Sequence, residues 1–372
     1  MCVRREKYNV KCSGKGAGHD RAAPAKMIPC LSLLRLMFYE WIMPELTGML
    51  LVVVVLALLF DFSNGWHDSA NAIATVVSTR VVSPFVAVMG AGVLNVAGAF
   101  MSTAVAKMVG SGIVNPALVT QEVVAAALAG AILWNLFTLL LGLPTSSSHA
   151  LIGGLVGAAV THGGWTMVKW SGLRPVMEAM VLAPFFGFAI GLSLMVVISW
   201  VFFGVTRSLA TRLFKRLQLV SACFMAFSHG SNDAQKAMGI ITLALLSAGQ
   251  IPSGEVPFWV IGACAVAMGL GTALGGWQIV RTLGMGIVKL EPVHGFAAET
   301  GAAAVLLVTA HIGLPVSTTQ TIMTSVMGVG AIKRLSAVRW GLTTRILYAW
   351  VFTLPGSALL GSLIYVLVTR FS

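Results

Sequence analysis

Two aspartates stand in matching polar settings inside otherwise apolar sequence. One lies in Gly65-Trp66-His67-Asp68-Ser69-Ala70-Asn71-Ala72, the other in Gly230-Ser231-Asn232-Asp233-Ala234-Gln235-Lys236-Ala237. A carboxylate at membrane depth costs at least about 2.5–3.5 kcal/mol on insertion scales, so a pair of them marks an ion or substrate path. Each follows a Gly within a few residues and precedes small residues, a composition that lets a helix unwind and expose its carbonyls. With Asn71, Asn232 and Gln235 alongside, the motifs offer hard oxygen ligands for Na⁺ or Mg²⁺, or a proton site.

A second matched pair has complementary chemistry. Gly142-Leu143-Pro144-Thr145-Ser146-Ser147-Ser148-His149 answers Gly313-Leu314-Pro315-Val316-Ser317-Thr318-Thr319-Gln320. Gly-Leu-Pro stops a helix, and the Ser/Thr cluster then caps the start of another. A helix N-terminus presents free N–H groups and partial positive charge, which together hold an anion. Ser146, Ser147, Ser148, Ser317, Thr318 and Thr319 add hydroxyl donors. Two such ends facing each other would donate to a tetrahedral oxyanion from both sides. Cation ligands beside an anion cradle imply cation-coupled oxyanion uptake, in which the cation offsets the anion's charge and desolvation.

The elements that must position these motifs follow from spacing and composition. Asp68 to Asp233 is 165 residues and Pro144 to Pro315 is 171, so two motifs recur in order at nearly one offset. Paired polar interruptions in corresponding halves point to a site at the midplane between repeats. The chain has 372 residues, 57% hydrophobic and 10% charged. A soluble domain carries about 25% charged residues, so the composition is that of a polytopic membrane protein. Apolar runs of spanning length lie near 43–60, 83–106, 122–141, 176–205, 256–280, 293–312 and 343–368. Shorter pieces near 70–80, 148–160, 218–228, 237–248 and 320–332 read as halves of broken helices or re-entrant hairpins. The runs do not alternate with period two, which favours an α-helical bundle over a barrel.

The net charge of +12 belongs to membrane topology rather than nucleic acid. Eight of the 24 Lys and Arg fall in residues 1–42. Half of the others sit in short segments read as loops, Arg207, Arg212, Lys215 and Arg216, then Lys333, Arg334, Arg339 and Arg345. Such clusters mark the cytoplasmic side. The expected organisation is a basic tail (1–42, disordered or a start called too early), a first transmembrane repeat (43–206), a basic cytoplasmic linker (207–216) and a second repeat (217–372). The five Cys lack zinc-ligand spacing and read as free thiols.

Among other polar residues, Glu299 is placed either facing the site or at a helix end. Lys236, at the position of Asn71 in the first half, either neutralises Asp233 or contacts the anion. Asn135 reads as interhelical glue, Glu122 as a first-turn acid, and His149 as packing behind the Ser cluster.

The segments GWHDSANAIATVVSTR, GLPTSSSHALIGG, SHGSNDAQKAMG and GLPVSTTQ resemble the inorganic phosphate transporter (PiT) family, from about Met43 to the C-terminus. The resemblance implies phosphate symport across the plasma membrane, the bacterial inner membrane, by two inverted repeats. It implies that Asp68, Asn71, Asn232 and Asp233 bind the coupling cation, with Gln235, His67 and Glu299 beside them. It implies that Ser146–Ser148 and Ser317–Thr319, with both Asp, hold the phosphate. Sodium-coupled members read Asn-Asp in both motifs, whereas this chain reads His67-Asp68 in the first. That His resembles bacterial low-affinity members, regarded as proton-coupled carriers of a metal–phosphate complex, and His titrates near neutrality. His67 is therefore placed in a proton relay or as a hydrogen-bonding prop of the turn.

The expected fold is an all-α polytopic membrane protein of two inverted repeats, each with a broken helix and a re-entrant helical hairpin. The expected function is phosphate import with H⁺ or Na⁺, without a cofactor or enzymatic activity. Partners are phosphate and the lipid bilayer; a homo-oligomer and an accessory protein stay open. Sulfate or arsenate would fit the same hairpins. A membrane-embedded metal-dependent phosphatase built on His67-Asp68 is the alternative of another class; it would need more converging ligands than the sequence supplies.

Overall fold

A computed structural model describes residues 48–332 and 338–371. The basic tail with Cys2, Cys12 and Cys30, and the pair Lys333 and Arg334, lie outside the described residues. The first half contains α1 (Gly48–Ser78), α2 (Pro84–Ala99), α3 (Ala104–Lys107), α4 (Gln121–Leu140), α5 (Ser147–Gly163) and α6 (Trp170–Val201). The second contains α7 (Arg207–Ser247), α8 (Phe258–Leu274), α9 (Trp277–Arg281), α10 (Pro292–His311), α11 (Thr318–Ala331) and α12 (Trp340–Phe371). The same order of long and short elements recurs, down to a π-helical turn after each short helix, Met108–Gly112 and Thr282–Gly286.

Five helices, α1, α4, α6, α10 and α12, are long and apolar enough to cross a membrane, and two bent pairs raise the number to seven. These are the seven apolar runs of the sequence. Large apolar side chains such as Phe185, Trp200, Phe203 and Phe352 are exposed, as on a surface that meets lipid. α7 is outside the set because it carries too many polar residues. Every residue from Ser228 to Leu245 is buried, so protein rather than lipid surrounds that stretch. The same holds for His67–Val76 of α1 and for Pro315–Gly330, so the motif segments form the interior.

The broken helix expected in each half exists, but not at the aspartates. α1 runs unbroken through Asp68 and α7 through Asp233. The breaks fall at Phe100–Thr103, where the bend is 67°, and at Gly275–Gly276, where it is 61°. Gly65 and Gly230 serve close packing instead of unwinding. A Cβ on Gly65 would strike the Met268 carbonyl of α8, and one on Gly230 the Asn95 backbone of α2. The apolar pieces 70–80, 218–228 and 237–248 accordingly belong to these two long helices, whereas 148–160 and 320–332 are α5 and α11.

Residues 207–216 are likewise helix, not loop. Thr206 leads in with extended backbone (φ −62°, ψ 144°), and Phe214 is buried between Phe202 and Phe296. The basic side chains are the exposed face of the first turns of α7.

α1 and α7 lie side by side and antiparallel. Near the end of α1, Thr79 donates to Gln218 of early α7 (2.9 Å), whereas Asp68, earlier in α1, stands beside Asp233, later in α7. Two helical hairpins enter from opposite ends of this pair. α4 starts where the Gln121 amide donates to the Ala244 carbonyl (2.9 Å) and the Ser247 hydroxyl (2.8 Å), at the C-terminal end of α7. α10 starts beside Glu291, which pairs with Arg207 (3.0 Å) at the N-terminal end of α7. Both hairpins turn at a Gly with positive φ, Gly142 (64°) and Gly313 (79°), and return as α5 and α11. α5 packs on α12 and α11 on α6, so each hairpin rests on the last helix of the other half.

Candidate functional site: two hairpin tips facing two aspartates

The hairpin tips meet at Asp68 and Asp233. Ser146 is the N-cap of α5, its hydroxyl oxygen accepting from the His149 amide (3.2 Å). Ser317 caps α11 in the same way, accepting from the Gln320 amide (3.2 Å). Both capping oxygens therefore hold their own helices. The first residues inside each helix do the reaching. Ser147 Oγ donates to Asp68 Oδ2 (2.7 Å), and Thr318 Oγ1, its counterpart, donates to Asp233 Oδ2 (3.0 Å). Thr319 crosses between halves and donates to Asp68 Oδ1 (3.0 Å). Ser148 donates to the Val316 carbonyl (2.9 Å), tying one tip to the other. The amides at the first positions of α5 and α11 have no acceptor within their own helix. The Trp350 indole of α12 fixes the first tip by donating to the Pro144 carbonyl (2.9 Å).

Each aspartate has further partners. His67 Nδ1 is 2.8 Å from Asp68 Oδ1, and His67 Nε2 is 3.1 Å from the Thr138 hydroxyl. Asn71 Nδ2 donates to Thr319 Oγ1 (2.9 Å) and Thr318 Oγ1 (3.2 Å). Across the site, Lys236 Nζ donates to Asp233 Oδ1 (2.6 Å), and Asn232 Nδ2 donates to the same oxygen (3.0 Å) and to the Val316 carbonyl (3.3 Å). Lys236 thus neutralises Asp233, the first of its two expected roles. Oxygens of Asp68 and Asp233 and a ring nitrogen of His229 lie within 4.8 Å of one another, close enough to share one cation. The side-chain carbonyl oxygens of Asn71 and Asn232 are buried and have no hydrogen-bond partner among the described residues. These are hard, unsatisfied acceptors in the same cluster.

Two predicted residues stand apart. Gln235 accepts from the Val105 amide (2.9 Å) and the Ala106 amide (3.3 Å), capping α3 just past the break, and its own amide donates to the Ser231 carbonyl. Glu299 lies mid-helix and fully buried, not at a helix end. It accepts from Thr75 (2.5 Å), Gln218 (3.2 Å) and Ser221, two turns beyond Asp68 along α1. Of the lesser expectations, Glu122 is in the first turn of α4, and His149 is buried behind the tip. Asn135 is buried, but its amide atoms have no partner among the described residues.

Sequence reasoning missed His229, Asn95, Thr138, Asp61 and Asn64. His229 Nε2 is 3.4 Å from Asp233, its other nitrogen is 3.2 Å from Asn95 Oδ1, and Asn95 donates to Thr272 (2.7 Å). A signal for the α1 residues was present. Asp61, Asn64, Asp68, Asn71 and Thr75 recur at spacings of three and four, one polar stripe on an unbroken helix. A cavity of about 700 Å³ between Met101–Ala104 and Leu307–Ile312 reaches Ser231, next to Asn232.

A model of the phosphate transporter family matches residues 64–361, taking in both aspartates and both hairpins. The chain belongs to that family. A Rhizobium meliloti protein described as a "probable low-affinity inorganic phosphate transporter" is 49% identical over 319 residues, covering 85% of this chain and 96% of the relative. A Bacillus subtilis protein of the same description is 44% identical over 318 residues, with the same coverage. A solved structure described as "the sodium-dependent phosphate transporter" superposes with a TM-score of 0.81, covering 88% of this chain and 100% of the other. At 23% identity that likeness shows a shared fold. Family membership makes the chain a transporter rather than an enzyme, which disposes of the phosphatase alternative.

Proposed function

We propose that the chain imports inorganic phosphate together with a cation across the plasma membrane, the inner membrane of a bacterial cell. Phosphate sits between the α5 and α11 tips and the two aspartates. The observation that carries this reading is the matched pair Ser147–Asp68 and Thr318–Asp233, which puts two helix N-termini against two carboxylates in one buried site. The free amides at these helix starts donate to the anion, and the hydroxyls of Ser147, Ser148, Thr318 and Thr319 turn to it from Asp68, Asp233 and the Val316 carbonyl when it binds. Asp68 and Asp233 accept from its protonated oxygens, which sulfate at neutral pH lacks. Carboxylate and phosphate repel unless a positive charge lies between them. Lys236 supplies one at Asp233, and the coupling cation supplies the other at Asp68.

The antiparallel α1/α7 pair and the hairpins entering from its opposite ends support inverted repeats. In such a fold, one half rocking against the other exposes a central site to each side in turn. The cavity ending at Ser231 is one route in.

The proton is favoured as the coupling ion because His67 bridges Asp68 and Thr138. A bound proton on that imidazole balances Asp68 without a metal ion. Sodium is the second reading, supported by the oxygen cluster around Asp68, Asp233 and Asn71 and by the sodium dependence of the structural relative. A divalent metal–phosphate complex as cargo also fits these acceptors. Labelled phosphate uptake into proteoliposomes, with pH and sodium gradients imposed separately, decides between them. Proton coupling predicts uptake driven by an inward pH gradient and lost in His67→Asn. Uptake that follows sodium and ignores the pH gradient contradicts it.

A further inference from the structure

The two hairpin tips match in position but not in how they are held. Gly142 follows α4 and abuts Gln278 of α9, and Gly313 follows α10 and abuts Ala104 of α3. At the first tip, Thr282 Oγ1 donates to the Gly142 carbonyl (3.1 Å). The Gln278 side-chain amide, with its nitrogen toward α4, donates to the Leu139 (2.6 Å) and Leu140 (3.2 Å) carbonyls. These carbonyls end α4, where a helix leaves acceptors unfilled. The π-helical turns give the counterparts at the second tip. Met108 to Thr282 is 174 residues, and the same step takes Ala104 to Gln278 and Thr103 to Trp277. Ala104 and Met108 have neither an amide nor a hydroxyl side chain, so the second tip has no equivalent of the two donors. The cavity of about 700 Å³ lies at this second tip, against Thr103, Ala104, His311 and Ser231. Ser231 is buried there, and its hydroxyl has no partner among the described residues. In the places of Thr103 and Ser231 the first tip has the far larger Trp277 and Trp66. The tips also face opposite ends of the α1/α7 pair. The turn after α9 packs through Gly284 on Ala74 and Ser78 of late α1, toward the Arg207 end of α7. The turn after α3 packs through Gly110 on Gly239, toward the C-terminal end of α7.

We propose that Thr282 and Gln278 are the latch of a gate. They hold the first hairpin tip shut against α9 and so close the site toward the Arg207 end of α7. The cavity at the second tip leaves the site open toward the other end. Transport requires the latch to break. The first tip then leaves α9, and water takes over the Leu139, Leu140 and Gly142 carbonyls. This inference rests on the phosphate-symport reading above.

The test locks the gate. A Cβ on Gly142 would lie 3.5 Å from the Gln278 Cβ, and disulfides span about 3.5–4.5 Å between Cβ atoms. Gly142→Cys/Gln278→Cys is reconstituted in proteoliposomes and oxidised with copper phenanthroline. Labelled phosphate uptake is measured before oxidation, after it, and after reduction with dithiothreitol. Wild type, with its native cysteines, and each single variant are treated alike. The disulfide is expected to form only in the double variant. Its uptake then falls about tenfold or more, because a site open to one side cannot carry its cargo across. Reduction restores it. A pair that does not cross-link overturns the proposal, and so does cross-linked protein that transports at the reduced rate. Gly142 has positive φ (64°), which strains any side chain there, so a second measurement leaves it intact. Thr282→Val/Gln278→Ala is compared with wild type by amide hydrogen exchange. The Leu141–Leu143 amides are expected to exchange several-fold faster in the variant, and those of Ile312–Leu314 at the same rate. Equal exchange at the first tip in both proteins overturns the latch. Wild-type protein that takes up no phosphate overturns the symport reading instead.

Discussion

Asp68 and Asp233 differ more in their partners than in their positions. Asp68 is held by a histidine and two hydroxyls, and Asp233 by a lysine, an amide and one hydroxyl. Ser147 and Thr318 are the symmetric members of these sets, each donating from the first turn of a hairpin helix to its own half's carboxylate. Removing either hydroxyl removes one charge-assisted bond, about 1.5 kcal/mol, while the capping Ser146 and Ser317 keep the helices in place. Ser147→Ala and Thr318→Val are therefore each expected to raise the KM for phosphate about tenfold, with protein yield unchanged. Initial-rate uptake over a range of phosphate concentrations measures this. Unaltered KM in both would remove the hydroxyls from the site.

At the scale of elements, the hairpins were legible and the continuity of α1 and α7 was not. Gly-Leu-Pro followed by Ser/Thr has one physical meaning, a stop and a new capped start, and Gly142 and Gly313 indeed adopt the positive φ of such a stop. Gly beside a buried Asp has two meanings, an unwound turn or a backbone packed too close for a Cβ. Composition cannot separate them; only the neighbouring helix can, and α8 and α2 press on Gly65 and Gly230. The polar stripe from Asp61 to Thr75 carried the missing information, since a three-and-four spacing survives only in an unbroken helix. Glu299 was visible as an acid that either faces the site or ends a helix, but its partners Thr75, Gln218 and Ser221 come from separate segments of sequence and could not be assembled beforehand. Packing predicts that Gly230→Leu overfills the α7–α2 contact and destabilises the protein by about 1–3 kcal/mol. Gly90→Leu, with open space at its Cα, is the matched control. Thermal unfolding in detergent should show a lower midpoint for Gly230→Leu alone; equal midpoints would refute the close approach.

For the whole molecule, the arrangement solves one electrostatic problem. The described interior buries Asp61, Asp68, Asp233 and Glu299 against a single buried lysine, and then must admit an anion. On the proposed reading, duplicated hairpins supply donors from opposite ends, and duplicated aspartates on the antiparallel pair between them supply cation ligands. On the proposed symport reading, a cation that enters with phosphate offsets part of the charge that the anion adds. The central claim is that both aspartates belong to this one transport site. Phosphate uptake by proteoliposomes of wild type, Asp68→Asn and Asp233→Asn, reconstituted in equal amounts, tests it most directly. The account predicts robust uptake by wild type and none above empty liposomes by either variant. Wild-type uptake rates in both variants would contradict it.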